Sequence, residues 1–103
     1  PTDNTVASNT EAIDSICRPA GIPVITGEEG ICSGCGIATL SISYYGIGEK
    51  TGKMAADILL GPADISTMAI AYDEGAVYKY NEEICTALGI TVPEKYVKIE
   101  KAE

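Results

Sequence analysis

The sequence predicts an α/β fold, a mainly parallel sheet flanked by helices, on three observations. Strand-like and helix-like segments alternate at intervals too long for simple hairpins until near the end of the chain. GIPVIT at 21–26 is a short, β-branched apolar run, the pattern of a strand buried on both faces. Ile47, Thr51, Met54, Ala55, Ile58 and Leu59 recur at the spacing of one amphipathic helical stripe, which Gly61 and Pro62 close.

Taken in order, Asp3, Asn4 and Thr5 are good helix N-caps, and Val6, Ile13, Ile16 and Cys17 sit at roughly helical spacing before Pro19 and Gly21. These predict a helix over 4–18, entered from the end of a strand. A strand over 22–26 follows and turns at Gly27. Residues 28–36 hold Gly30, Gly34 and Gly36 among small side chains, which fits either a short helix packed closely on the sheet or an irregular turn. IATLSISY at 37–44 alternates apolar and hydroxyl side chains, predicting a strand that ends in Tyr44 and Tyr45, with the two rings on opposite faces. The striped helix covers 46–60. MAIAY at 68–72 and AVYKYN at 76–81 read as strands on either side of the turn Asp73-Glu74-Gly75. Asn81 caps a last helix, 82–88, which Gly89 ends, and 90–103 reads as a partly charged tail. So few strands make a thin sheet, and the chain begins at Pro1 without an initiator methionine or signal peptide; it is read as a fragment of a longer protein.

Composition narrows the function classes. Fifteen acidic against seven basic residues give a formal charge of −8, and no Lys/Arg cluster offsets it, so nucleic acid is a poor partner. Gly, Ser and Thr break every apolar run well short of the ~20 residues that span a bilayer. With no histidine, the usual Ser/His and Cys/His nucleophile pairs are excluded. Glu28 and Glu29 could pair as catalytic carboxylates, but nothing supplies a matched acid, nucleophile or metal, and no catalytic residue is assigned.

The four cysteines raise two further possibilities. A zinc site would need Cys17, Cys32, Cys35 and Cys85 together, and Cys17 and Cys85 lack paired spacing, so neither metal nor cofactor is expected. A thiol-redox module at Cys32 and Cys35 would need Cys32 exposed at a helix start with a depressed thiol pKa. The competing reading is a glycine-rich packing segment in which both cysteines are small buried hydrophobes.

PTDNTVAS at 1–8, GIPVITGEEG at 21–30, ATLSISYYGIGEKTGKMAADILLG at 38–61 and NEEICTALGITVPE at 81–94 cover most of the chain. In this order and spacing the chain resembles the C-terminal part of the two-lobed substrate-binding proteins of bacterial ABC transporters, in the branch associated with tryptophan and related hydrophobic amino acids. The resemblance implies a periplasmic-binding-protein-like fold of two α/β lobes that close on a ligand. Residues 1–43 would be the later part of the C-terminal lobe. Residues 44–80 would be crossover segments and a helix packing on the N-terminal lobe, and 81–103 the returning helix and tail. The function implied is the extracytoplasmic, non-enzymatic solute receptor of an importer, free or lipid-anchored, with an amino-acid-like ligand and a membrane permease as partners. Ligand-sensing domains of transcription regulators share the fold and are the alternative class.

In open α/β sheets the binding crevice lies beyond the carboxyl ends of the strands. Three such ends are predicted here, at 2–4, 26–29 and 44–45. The expected ligand-binding residues are therefore Thr2, Asp3, Asn4, Thr5, Glu28, Tyr44 and Tyr45. Free amides at the helix start near Asn4 would seat a ligand carboxylate, Asp3 or Glu28 would receive an ammonium, and one tyrosine ring would stack on the ligand side chain. The same residues would equally serve as an ordinary helix cap and a solvated turn.

Overall fold

The computed structural model describes residues 2–100. They form α1 (Asn4–Ala7), α2 (Thr10–Cys17), β1 (Ile25–Thr26), α3 (Glu29–Cys35), β2 (Ala38–Ser41), α4 (Tyr44–Leu60), β3 (Val77–Tyr80), α5 (Glu82–Ala87) and β4 (Val97–Lys98). Pro1 of the PTDN motif and the end of the charged tail, 101–103, lie outside the described residues. The chain divides into two compact units, one of Pro1–Ser41 with Val77–Glu103, the other of Ile42–Ala76.

The first unit carries a four-stranded sheet in the order β1-β2-β3-β4. β1 and β2 are parallel, with Ile25 opposite Ala38 and Thr26 opposite Thr39. β2 and β3 are antiparallel from Ala38 opposite Tyr80 to Ser41 opposite Val77, and β3 and β4 are again parallel. Two pairings of three are parallel, as the alternation of elements predicts. The strands are shorter than their apolar runs. Only Ile25 and Thr26 of 22–26 find ladder partners, and the run at 37–44 leaves the sheet after Ser41. β4 falls within the segment that reads as a tail, since two residues in a lysine-rich stretch carry no period-2 signal.

Among the described residues the buried apolar side chains are Ile31, Cys32, Cys35, Ile84, Cys85 and Ile99. The segment left open between helix and turn is a helix, and its glycines explain the packing. A β-carbon on Gly36 would lie 2.5 Å from Thr26 Cγ2, and one on Gly34 would meet Thr10 of α2 more closely still. Bare backbone at these two points lets α3 approach β1 and α2. Asn81 then joins α3 to α5: its Nδ2 donates to the Cys32 and Ser33 carbonyls at 3.1 and 3.0 Å, while its Oδ1 caps α5 by accepting from the Ile84 amide.

The single helix predicted over 4–18 is two helices. Asn9 leaves helical geometry at φ −126° and ψ 23°, and its side-chain amide donates to the Thr5 carbonyl at 2.7 Å. Asparagine competes for backbone groups in this way, which weakens it in helix interiors. α2 ends at Cys17, and Arg18 beyond it pairs with Asp14 at 2.8 Å and with Glu83 of α5 at 2.9 Å.

The second unit is α4 and an irregular return. α4 begins at Tyr44, two residues before the predicted start, because Ser43 caps it by accepting from the Gly46 amide at 3.0 Å. The strand predicted at 68–72 is absent. Lys50 Nζ instead donates to the Tyr72 carbonyl at 2.5 Å, holding that segment beside the helix. No residue of α4 is buried; Leu59 and Leu60 are 81% and 89% exposed. Its stripe faces a shallow groove with Ile65, Met68 and Ile70, which are themselves half-exposed or exposed.

Candidate functional site

Thr2, Asp3, Asn4 and Thr5 are exposed at the start of α1. Thr2 and Asp3 belong to no strand among the described residues, so the strand end expected there is not seen. Asp3 is extended at φ −124° and ψ 135°, and its Oδ1 accepts from the Thr5 amide at 2.8 Å and the Val6 amide at 3.2 Å. Two of the amides expected to seat a ligand carboxylate, those of Thr5 and Val6, are thus already satisfied by Asp3. The geometry instead offers the second carboxylate oxygen of an exposed side chain oriented by its own helix's amides, which suits a cationic group.

Glu28 repeats the arrangement beyond the carboxyl end of β1. Its Oε2 accepts from the Gly30 amide at 2.8 Å and its Oε1 from the Ile31 amide. Both oxygens serve the cap of α3, so the ordinary helix-cap role is the observed one. Glu29, read as a weak carboxylate partner, pairs with Lys79 of β3 at 2.6 Å. The Glu28/Glu29 pair is therefore divided between a cap and an ion pair, which removes the two-carboxylate arrangement. α1 packs against α3, so the helices capped by Asp3 and Glu28 are neighbours in the first unit.

Tyr44 and Tyr45 are not the end of a strand. They occupy the first turn of α4, where neighbours differ by about 100° rather than pointing to opposite faces. Both are exposed, at 66% and 79%. The serine at 43, an N-cap residue type directly before them, was the signal for this start. Asp73, in the predicted turn Asp73-Glu74-Gly75, reaches beyond that turn: its Oδ2 accepts from the Ser43 amide at 2.9 Å, a contact 30 residues away that no local signal marks.

Cys32 and Cys35 are free thiols, 0% and 2% exposed, and Cys85 is buried with them. Burial pushes the Cys32 thiol up to about 11 from an ordinary 9.0, against a hydrogen bond from Thr26 that lowers it. Burial raises the Cys35 and Cys85 thiols as well. A redox pair needs the opposite shift and an exposed first sulfur. Among the described residues no group of three or more His, Cys, Asp or Glu side chains is placed to hold a metal ion.

Residues 1–102 match the model of the family described as ABC transporter substrate binding protein. The chain belongs to the ABC transporter substrate-binding protein family. Among its relatives, a tyrosine-binding protein of Clostridioides difficile (strain R20291) is 31% identical over 88 residues, which are 85% of this chain and 25% of that protein. A substrate-binding protein with adhesive properties from Clostridium difficile, solved ligand-free and open, superposes with a TM-score of 0.76 at 38% identity, over 97% of this chain and 35% of that one. An ABC domain from Streptococcus pneumonia in complex with L-Trp superposes with a TM-score of 0.77 at 26% identity, over 95% and 35%. The chain thus spans a quarter to about a third of these proteins, and its fold is part of their periplasmic-binding-protein-like architecture.

Proposed function

We propose that this chain forms part of the extracytoplasmic receptor of an ABC importer, which closes two lobes on an aromatic or other hydrophobic amino acid and presents it to a membrane permease. The receptor binds and releases without catalysis. The observation that carries the reading is the similarity to a tyrosine-binding protein and to a protein solved with L-Trp, over nearly the whole chain. In this reading Asp3 receives the ligand ammonium, Thr2, Asn4 and Thr5 supply polar contacts beside it, and Tyr44 or Tyr45 stacks on the side chain. Glu28 adds negative potential from its cap.

Residues 1–43 and 81–103 are assigned to the C-terminal lobe. Residues 44–80 are assigned to crossover segments and a helix that packs on the N-terminal lobe. The exposed apolar residues of α4 support that assignment, since a helix stripe this exposed is normally covered. No helix among the described residues is long and apolar enough to cross a membrane.

Thermal unfolding of the receptor at the full length of its relatives tests the reading against a panel of amino acids. A ligand bound only by the folded state at a hundredfold excess over its Kd adds about 2.7 kcal/mol. L-tyrosine or L-tryptophan should raise Tm measurably. No shift with any amino acid would remove the ligand assignment.

A further inference from the structure

Asp73 ties together the two ends of the unit Ile42–Ala76. Its Oδ2 accepts from the amide of Ser43 at 2.9 Å, just after the chain enters the unit, and its Oδ1 accepts from the amide of Gly75 at 3.0 Å, just before the chain leaves. The β2–β3 ladder stops at Ser41 opposite Val77, so beyond it a side-chain carboxylate takes over the task of joining the two segments. Ser43 passes the constraint on, because its Oγ accepts from the Gly46 amide at 3.0 Å and so sets the first turn of α4. Lys50, in the next turn, holds the same return segment through the Tyr72 carbonyl. The Ser43 amide, then the Gly75 amide, and the charge of Lys50 hold the Asp73 carboxyl below its ordinary 3.8.

We infer that Asp73 is a positioning residue for ligand binding: it fixes the first turn of α4, and with it Tyr44 and Tyr45, without itself touching the ligand. The inference rests on the amino-acid reading above. The chemistry requires a carboxylate. Two amides point at two acceptor oxygens, and an asparagine in the same place would turn an N–H toward one of them. Ser43 by itself satisfies only Gly46, leaving its own backbone N–H without this acceptor.

The test uses the full-length receptor with Asp73→Asn and Asp73→Ala. L-tyrosine affinity is measured by calorimetry and local opening by amide hydrogen exchange. Both variants should bind L-tyrosine about tenfold more weakly, a change of about 1.4 kcal/mol. Exchange should quicken at Ser43, Gly46 and Gly75, while the amides of Thr39 and Ile84 keep their original rates. Affinity within about twofold of the original protein, or exchange that quickens everywhere alike, would overturn the inference. If the unsubstituted protein takes up no aromatic amino acid, the amino-acid reading falls. Selective exchange at Ser43, Gly46 and Gly75 then still supports the role of Asp73 in fixing α4, and unchanged exchange there still overturns it.

Discussion

Gly34 in α3 lies so close under Thr10 at the head of α2 that a β-carbon on Gly34 would stand 2.3 Å from the Thr10 hydroxyl oxygen and 2.5 Å from its Cβ. Real Cβ atoms do not approach that closely, so one helix would have to move. Gly34→Ala gains about 1 kcal/mol of helix propensity. Overpacking costs about 1–3 kcal/mol, so a net loss is expected. Denaturant unfolding of the full-length protein should show it. The obstacle includes the Thr10 Cβ, so Thr10→Gly should relieve the loss and Thr10→Ala should not. Equal behaviour in both backgrounds would mean that the helices do not meet at this point.

Thr39 offers the reverse case. It is 3% exposed in β2, and its Oγ1 has no hydrogen-bond partner. A buried polar group left unsatisfied costs about 1–3 kcal/mol, and valine has nearly the same shape. Thr39→Val should therefore raise the unfolding free energy measured by denaturant titration, by about 1 kcal/mol if half of that penalty is recovered. A clear loss of stability would show that the hydroxyl has a partner.

The buried thiols predict an alkaline limit. The Cys32 pKa is raised in the folded state, so the folded protein holds a proton that the unfolded chain gives up. The stability this contributes is complete below the ordinary thiol value of 9.0, and it is lost as the pH rises through 9 toward 11. Cys32→Ala should flatten the fall in Tm over that window. In the native protein Cys32, Cys35 and Cys85 should resist a thiol reagent at pH 8 that modifies all four cysteines after unfolding. Rapid native labelling of Cys32 or Cys35 would revive the redox reading.

Elements whose signals are local were legible in the sequence. The α4 stripe, the Asn81 cap and the Gly61-Pro62 stop are set by residues within a turn or two of one another. β4 and the break at Asn9 were not. A two-residue strand exists only through its partners Lys79 and Tyr80 on β3, and Asn9 leaves the helix through a side-chain bond that competes with the backbone. The second role of Asn81, across to Cys32 and Ser33, depends on contacts 48 and 49 residues away. At the candidate site the positions of Asp3 and Glu28 at helix starts were readable, but their engagement was not. The same acid can cap its own helix or await a ligand, and only the side-chain geometry separates the two.

The carboxylate of Asp3 is where the functional account is most exposed. Calorimetric titration of L-tyrosine and L-tryptophan into the full-length receptor and its Asp3→Ala and Tyr44→Ala variants tests it most directly. At least one of these amino acids should bind the original protein. Asp3→Ala should then lose about 1.5–3 kcal/mol of binding, the worth of a hydrogen bond to a charged group. Tyr44→Ala should lose about 0.5–1.5 kcal/mol of stacking, and neither variant should unfold. Unchanged affinity in both variants, with the fold intact, would contradict the placement of the ligand at these residues.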